Sequence, residues 1–136
     1  MYLYDLLTLI ITAFAGSLMG SFLLLTLIYK PLIASQLSST QQTWLYRRYY
    51  RLNSVLCLLG GLLAALISNQ QATFVLAILA VSYVFANMHL LKAINGCRQG
   101  PEDANKQRLL KSLIWAQNLI HFAQFIGAIA VVAYLY

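Results

Sequence analysis

The chain has 136 residues, of which 61% are hydrophobic and only 9% charged, with nine Lys and Arg against three Asp and Glu for a net charge of +6. So little charge cannot make the polar shell of a soluble domain this size, so composition excludes an ordinary water-soluble fold and implies one small membrane domain. Cys57 in an apolar run and Cys97 in a basic stretch lack any ligand spacing and read as two reduced thiols.

The first apolar run, about 6–29, exceeds the ~20 residues a helix needs to cross a bilayer. No basic residue precedes it, and Lys30 and Pro31 follow, which is the pattern of a retained first helix rather than a cleaved signal. Ala13, Gly16, Ser17, Gly20 and Ser21 place small residues at a spacing of four, which lets another backbone approach closely. With Gly60 and Gly61 in the second run and Gly127 in the fourth, they are expected to pack the helices of one bundle. Homodimerisation through the first helix is the alternative.

A basic, aromatic segment, about 30–51, comes next and is expected to hold Pro31 in a loop. Ser39 and Gln42, three apart, fit a capping box, and TWLYRRYYRL can carry the following helix into the interface. Arg47, Arg48 and Arg51 are expected to contact lipid headgroups or an acidic partner. The second run, about 52–68, and the third, about 72–94, are separated only by Ser68-Asn69-Gln70-Gln71, which makes them a tight antiparallel hairpin. Beyond a second basic segment, about 95–111, the fourth run covers 112–136. Pro101, followed by Glu102 and Asp103 in a first turn, predicts a helix start that precedes the membrane, with both acids serving the helix dipole rather than catalysis.

All nine basic residues fall in or beside those two segments. The positive-inside rule then places both segments in the cytoplasm and both termini outside, in a plasma membrane of the bacterial inner-membrane kind. Tyr2, Tyr4, Tyr134 and Tyr136 would form the outer aromatic belt, and Tyr29, Trp44, Tyr46, Tyr49, Tyr50 and Trp115 the inner one. Basic charge placed beside spans suits anionic headgroups, at about 1 kcal/mol per residue, and not nucleic acid.

The fourth run carries polar groups inside an otherwise lipid-soluble helix. Taking Gln117 as zero, His121 lies near ~40°, Gln124 near ~−20° and Asn118 near ~100° by the 3.6-residue period, all on one side. Asn87 and His89, with Ser82, Lys92 and Asn95, are the third run's candidates to meet them, and Asn53, Ser54 and Cys57 the second's. Polar groups in hydrocarbon are costly unless paired, so an interhelical hydrogen-bonded cluster is expected. Two histidines also invite haem, a metal ion or a quinone. Measured from Lys92 and Lys111 at ~1.5 Å per residue, however, the imidazoles differ by ~10 Å in depth, too far for one metal ion. No cofactor is therefore expected.

The order of features resembles a family of small four-span membrane proteins typified by transmembrane protein 205. The resemblance rests on Tyr29-Lys30-Pro31 after a Gly-containing first helix, on LYRRYYRLNSVL from Leu45 to Leu56, and on Ile94-Asn95-Gly96-Cys97-Arg98 at the third helix exit. A polar fourth helix with Gln117, Asn118 and His121 completes it. It implies a four-span fold and no particular reaction. The P-loop, GxSxG, HExxH and GxGxxG patterns are absent from the sequence. The expectation is an all-α, four-helix transmembrane bundle of non-enzymatic type, acting in a homo-oligomer or larger membrane complex. A redox or ligand-binding protein using His89 or His121, and an oligomeric channel or carrier lined by Gln117, Asn118, His121 and Gln124, are the alternatives.

Overall fold

A computed structural model describes residues 2–99 and 103–136, and nearly all of them are helical. Four helices follow in order: α1 (Tyr2–Gln36), α2 (Ser39–Leu66), α3 (Gln70–Arg98) and α4 (Ala104–Leu135). Each is long and apolar enough to cross a membrane. They run up, down, up and down. At one end Asn69 in the α2–α3 turn donates to the Tyr134 carbonyl near the chain terminus, 3.0 Å away. At the other, Thr43 near the start of α2 donates to Asn95 near the end of α3, 2.9 Å away.

Side-chain size along each helix explains the packing. The buried positions of α2 are Thr43, Tyr46, Tyr50, Asn53, Ser54, Cys57, Gly60 and Ala64, and those of α4 are Gln117, His121, Gln124, Ala128, Val131 and Leu135. Steps alternating between three and four residues hold one narrow stripe against neighbouring helices, the pattern of shallow-angle bundles. α1 keeps the same rhythm through Thr8, Ile11, Ala15, Leu18, Leu25 and Tyr29. The opposite faces are apolar and open: Leu58, Leu62, Val81, Phe122 and Ile126 are all exposed. A bundle dissolved in water would turn polar residues outward there. Hydrocarbon is the solvent this surface matches.

Several local expectations are corrected. Pro31 does not lie in a loop. α1 continues through a π-helical stretch, Leu25–Ile33, that contains Pro31, and a short 3-10 turn, Ala34–Gln36. Proline lacks the N–H for an i→i−4 bond and its ring crowds the preceding turn, and a wider π register relieves both. Ala34 N–H accordingly bonds to Tyr29 O, five residues back. α2 then starts at Ser39 with Ser38, not Ser39, as its cap: Ser38 Oγ accepts from Gln41 N–H while the Gln41 side chain accepts from Ser38 N–H. Both pairs have capping-box spacing. Gln42 is taken up elsewhere, donating to the carbonyls of Ala34 and Leu37. Asp103 is the N-cap of α4, accepting from Asn105 N–H, and so sits one position before the first turn. Pro101 and Glu102, expected to open that helix, lie outside the described residues.

The α2–α3 turn closes without glycine. Ser68 N–H bonds to Ala65 O and Asn69 N–H to Ala64 O, the paired bonds of a Schellman motif, which require Ser68 at φ 60°. Asn69 then caps α3 by accepting from Ala72 N–H.

Candidate functional site

The polar centre lies inside the bundle, where α2 and α4 face each other. His121 and Tyr50 are both fully buried, at 0% exposure. Tyr50 Oη and His121 Nε2 are 2.7 Å apart, and Gln117 Nε2 donates to Tyr50 Oη at 2.9 Å. With one lone pair taken by Gln117, the Tyr50 hydroxyl is satisfied most fully by donating its proton to Nε2, which puts the imidazole proton on Nδ1. His121 Nδ1 has no partner among the described residues, nor have the Tyr49 hydroxyl and Gln124 Oε1. One turn along α4, Gln124 Nε2 donates to Ser82 Oγ on α3 at 3.0 Å.

Aromatic rings enclose this centre. The Tyr46, Tyr49 and Tyr50 rings lie 6.0, 5.6 and 5.5 Å from the imidazole, and Tyr83 stands 6.1 Å edge-on from Tyr49. Tyr29 joins through an edge contact to Tyr46 at 5.7 Å. Tyr29, Tyr46 and Tyr50 are thus core residues and not members of an interfacial belt, which is a correction. Trp44 and Trp115 are exposed, as a belt requires.

The structure divides six of the polar residues singled out in the sequence. Gln117, His121 and Gln124, within ~60° of one another around α4, point inward. Asn118, ~100° away from Gln117, reaches the edge of that stripe; it is exposed and accepts from the half-buried Lys30 of α1. Asn87 is half-buried, with Oδ1 unpartnered among the described residues. His89 falls between the buried positions Ala86 and Leu90 and faces outward, its ring 5.3 Å from that of Phe85. Both lie in a second π-helical stretch, Ala86–Leu90. His89 and His121 therefore do not share a site. A pore lined by all of Gln117, Asn118, His121 and Gln124 does not match this geometry either, since three of them are sealed inside one bundle. Among the described residues no group of three or more His, Cys, Asp or Glu is placed to hold a metal ion.

Sequence reasoning missed Tyr50, the residue at the middle of the network. Its signal was present: Thr43, Tyr46, Tyr50, Asn53 and Cys57 repeat at three and four residues, which points a tyrosine inward rather than to the headgroups.

The glycines separate in the same way. A Cβ on Gly60 would meet Leu76 at 3.4 Å, one on Gly61 would meet Leu76 at 3.7 Å, and one on Gly127 would meet Leu79 at 2.7 Å, so these three pack the bundle. Gly16 and Gly20 would meet nothing within 4 Å. With Ala13 and Ser17 they form a face ~140–240° around α1 from the buried Ile11. Ala13, Gly16, Ser17 and Gly20 thus point away from their own bundle, whereas Ser21, the last small residue of the stripe, meets Asn53 of α2 within it.

Arg47, Arg48 and Arg51 are all exposed along the first half of α2, with Arg48 5.2 Å over the Trp44 ring. No protein-family model, curated protein or solved structure matches the chain.

Proposed function

We propose that this is a multi-pass membrane protein of non-enzymatic type that works by association, as a component of a homo-oligomer or larger membrane complex. The carrying observation is the outward face of α1. Gly16 and Gly20 leave open space where a Cβ would stand, beside the exposed Ala13 and Ser17, whereas Gly60 and Gly127 are packed against Leu76 and Leu79 of the bundle itself. In hydrocarbon, where burial of apolar area gives helices no advantage over lipid, such a face gains through close dispersion contact with another helix. The polar centre fits the same role: Tyr50, Gln117 and His121 pair with one another and hold α2 to α4. In the proposed topology the basic end lies in the cytoplasm and both termini lie outside, and Arg47, Arg48 and Arg51 add diffuse attraction to anionic headgroups.

Size in mild detergent tests the reading. The wild-type protein should run as an assembly larger than its 15.2 kDa chain. Gly16→Leu and Gly20→Leu, which fill the face, should release the single chain with its helicity unchanged. A wild type that is monomeric and free of partners would defeat the proposal.

A second reading has its own observation. His89 edges an apolar groove of about 360 Å³ between α2 and α3, walled by Leu58, Val84 and Phe85. An apolar ring carrying a carbonyl, as in a quinone, suits one imidazole donor in an apolar wall. A haem at His121 is favoured less, because tyrosine rings occupy the space around the imidazole. Quinone co-purifying with wild type and lost in His89→Ala would favour this reading over association.

A further inference from the structure

We propose that the groove between the first turns of α2 and the last turn of α3 is a phosphate-ester site, filled by an anionic phospholipid and gripped by Arg47 and Arg98. The groove encloses about 350 Å³, and its walls include Ser39, Thr43, Trp44, Arg47, Asn95 and Arg98. Among the described residues no carboxylate lines it. Two guanidinium groups on one small cavity repel each other, and an anion between them turns that repulsion into attraction. The guanidinium fork matches two phosphate oxygens at once, which a lone ammonium cannot do.

The walls are braced for such a ligand. Thr43 Oγ1 donates to Asn95 Oδ1 at 2.9 Å, which pins α2 to α3 and leaves the Asn95 amide N–H groups to donate. Arg98 Nη1 reaches Gln42 Oε1 at 3.4 Å, so the guanidinium is steered across to α2 with its other donors unspent among the described residues. The Ser39 hydroxyl adds a further donor.

A neighbouring cavity favours a lipid over a free anion. It encloses about 470 Å³, is walled by Leu37, Trp44 and Leu45, and shares Thr40 and Trp44 with the polar groove. Trp44 is 58% exposed and carries Arg48 on its ring, so a third cation stands at the rim. A polar cationic pocket and an apolar groove on either side of one tryptophan suit a headgroup and an acyl chain joined in one molecule. This site differs from diffuse attraction to Arg47, Arg48 and Arg51 because it needs Arg98, from the other segment, and a defined cavity.

Native mass spectrometry in mild detergent, with phosphatidylglycerol and phosphatidylcholine at equal concentration, tests it. The wild type should retain phosphatidylglycerol selectively. Arg47→Ala with Arg98→Ala should weaken retention by about tenfold or more, as loss of two charge-assisted contacts implies. Arg108→Ala with Lys111→Ala removes the same charge outside the groove and should leave retention within about twofold, the residual long-range effect being small. Arg47→Lys with Arg98→Lys, which spares charge and fold, should still weaken retention through loss of the fork. Glycerol phosphate or inorganic phosphate that displaces the lipid at millimolar levels would assign the site to soluble phosphates; retention unaffected by them assigns it to lipid. Equal losses from the groove pair and the outside pair, or no preference for phosphatidylglycerol in the wild type, would overturn the site.

Discussion

Tyr50 illustrates how one hydroxyl can hold a membrane core together. It is fully buried, contacts His121 and Gln117 through the same oxygen, and joins α2 to α4 at a depth where water is scarce. Tyr50→Phe keeps the ring and strands two buried polar groups. It should lower stability by about 1–2 kcal/mol, the range in which the cost of an unpaired buried group meets the modest worth of hydrogen bonds in membranes. Thermal unfolding in detergent reads that loss. A double-mutant cycle of Tyr50→Phe with His121→Leu should show coupling of about 0.5 kcal/mol or more, and strictly additive effects would mean the pair does not act as a unit. Ser68 is a different single-residue device. Its φ of 60° belongs to glycine, so Ser68→Gly should stabilise the α2–α3 turn by about 1 kcal/mol with helix content unchanged.

Helices show how one residue type serves opposite purposes on different faces. Gly127 is crowded by Leu79, with Cδ2 2.7 Å, Cγ 3.3 Å and Cδ1 3.4 Å from an added Cβ. Alanine there gains about 0.5–1 kcal/mol of helix propensity but loses about 1–3 kcal/mol to overpacking, so Gly127→Ala should be net destabilising. Gly16→Ala and Gly20→Ala meet open space, so propensity alone acts and the single chain should be equal or more stable. Comparing the three midpoints in one detergent checks the sign at each position. The π stretches are element-scale features too. The first admits Pro31 without ending α1, so helix runs almost unbroken toward α2 and brings Lys30 to Asn118 on α4.

At the scale of the whole molecule, chemistry is sorted by height. Ser39, Asn95 and the start of α4 stand at one end, and the Asn69 turn, the start of α1 and the end of α4 at the other. The native cysteines report on this arrangement. Cys97, near the end of α3, is partly exposed, whereas Cys57 is buried. A membrane-impermeant maleimide should label Cys97 only from the cytoplasmic side of inverted vesicles and leave Cys57 unmodified until the protein is unfolded. Labelling of Cys97 from the outer face would reverse the proposed orientation while leaving the bundle intact.

The order and number of the helices were legible in the sequence, because apolar length and the clustering of Lys and Arg are local properties that need no knowledge of neighbours. The turn at Ser68 and Asn69 was legible for the same reason. Part of the site was legible as well: the period of α4 put Gln117, His121 and Gln124 on one face, and burial agrees. What met that face depended on the phase of other helices. Tyr50 rather than His89 partners His121 because the α2 stripe passes through Tyr50, while His89 lies beside the α3 stripe and turns outward. The same holds for the glycines of α1, whose spacing is alike whether they pack inward or outward. Composition and charge determined the solvent this chain suits; only the rotation of each helix about its own axis, set by packing against three others, decided which polar groups meet and which face is left open.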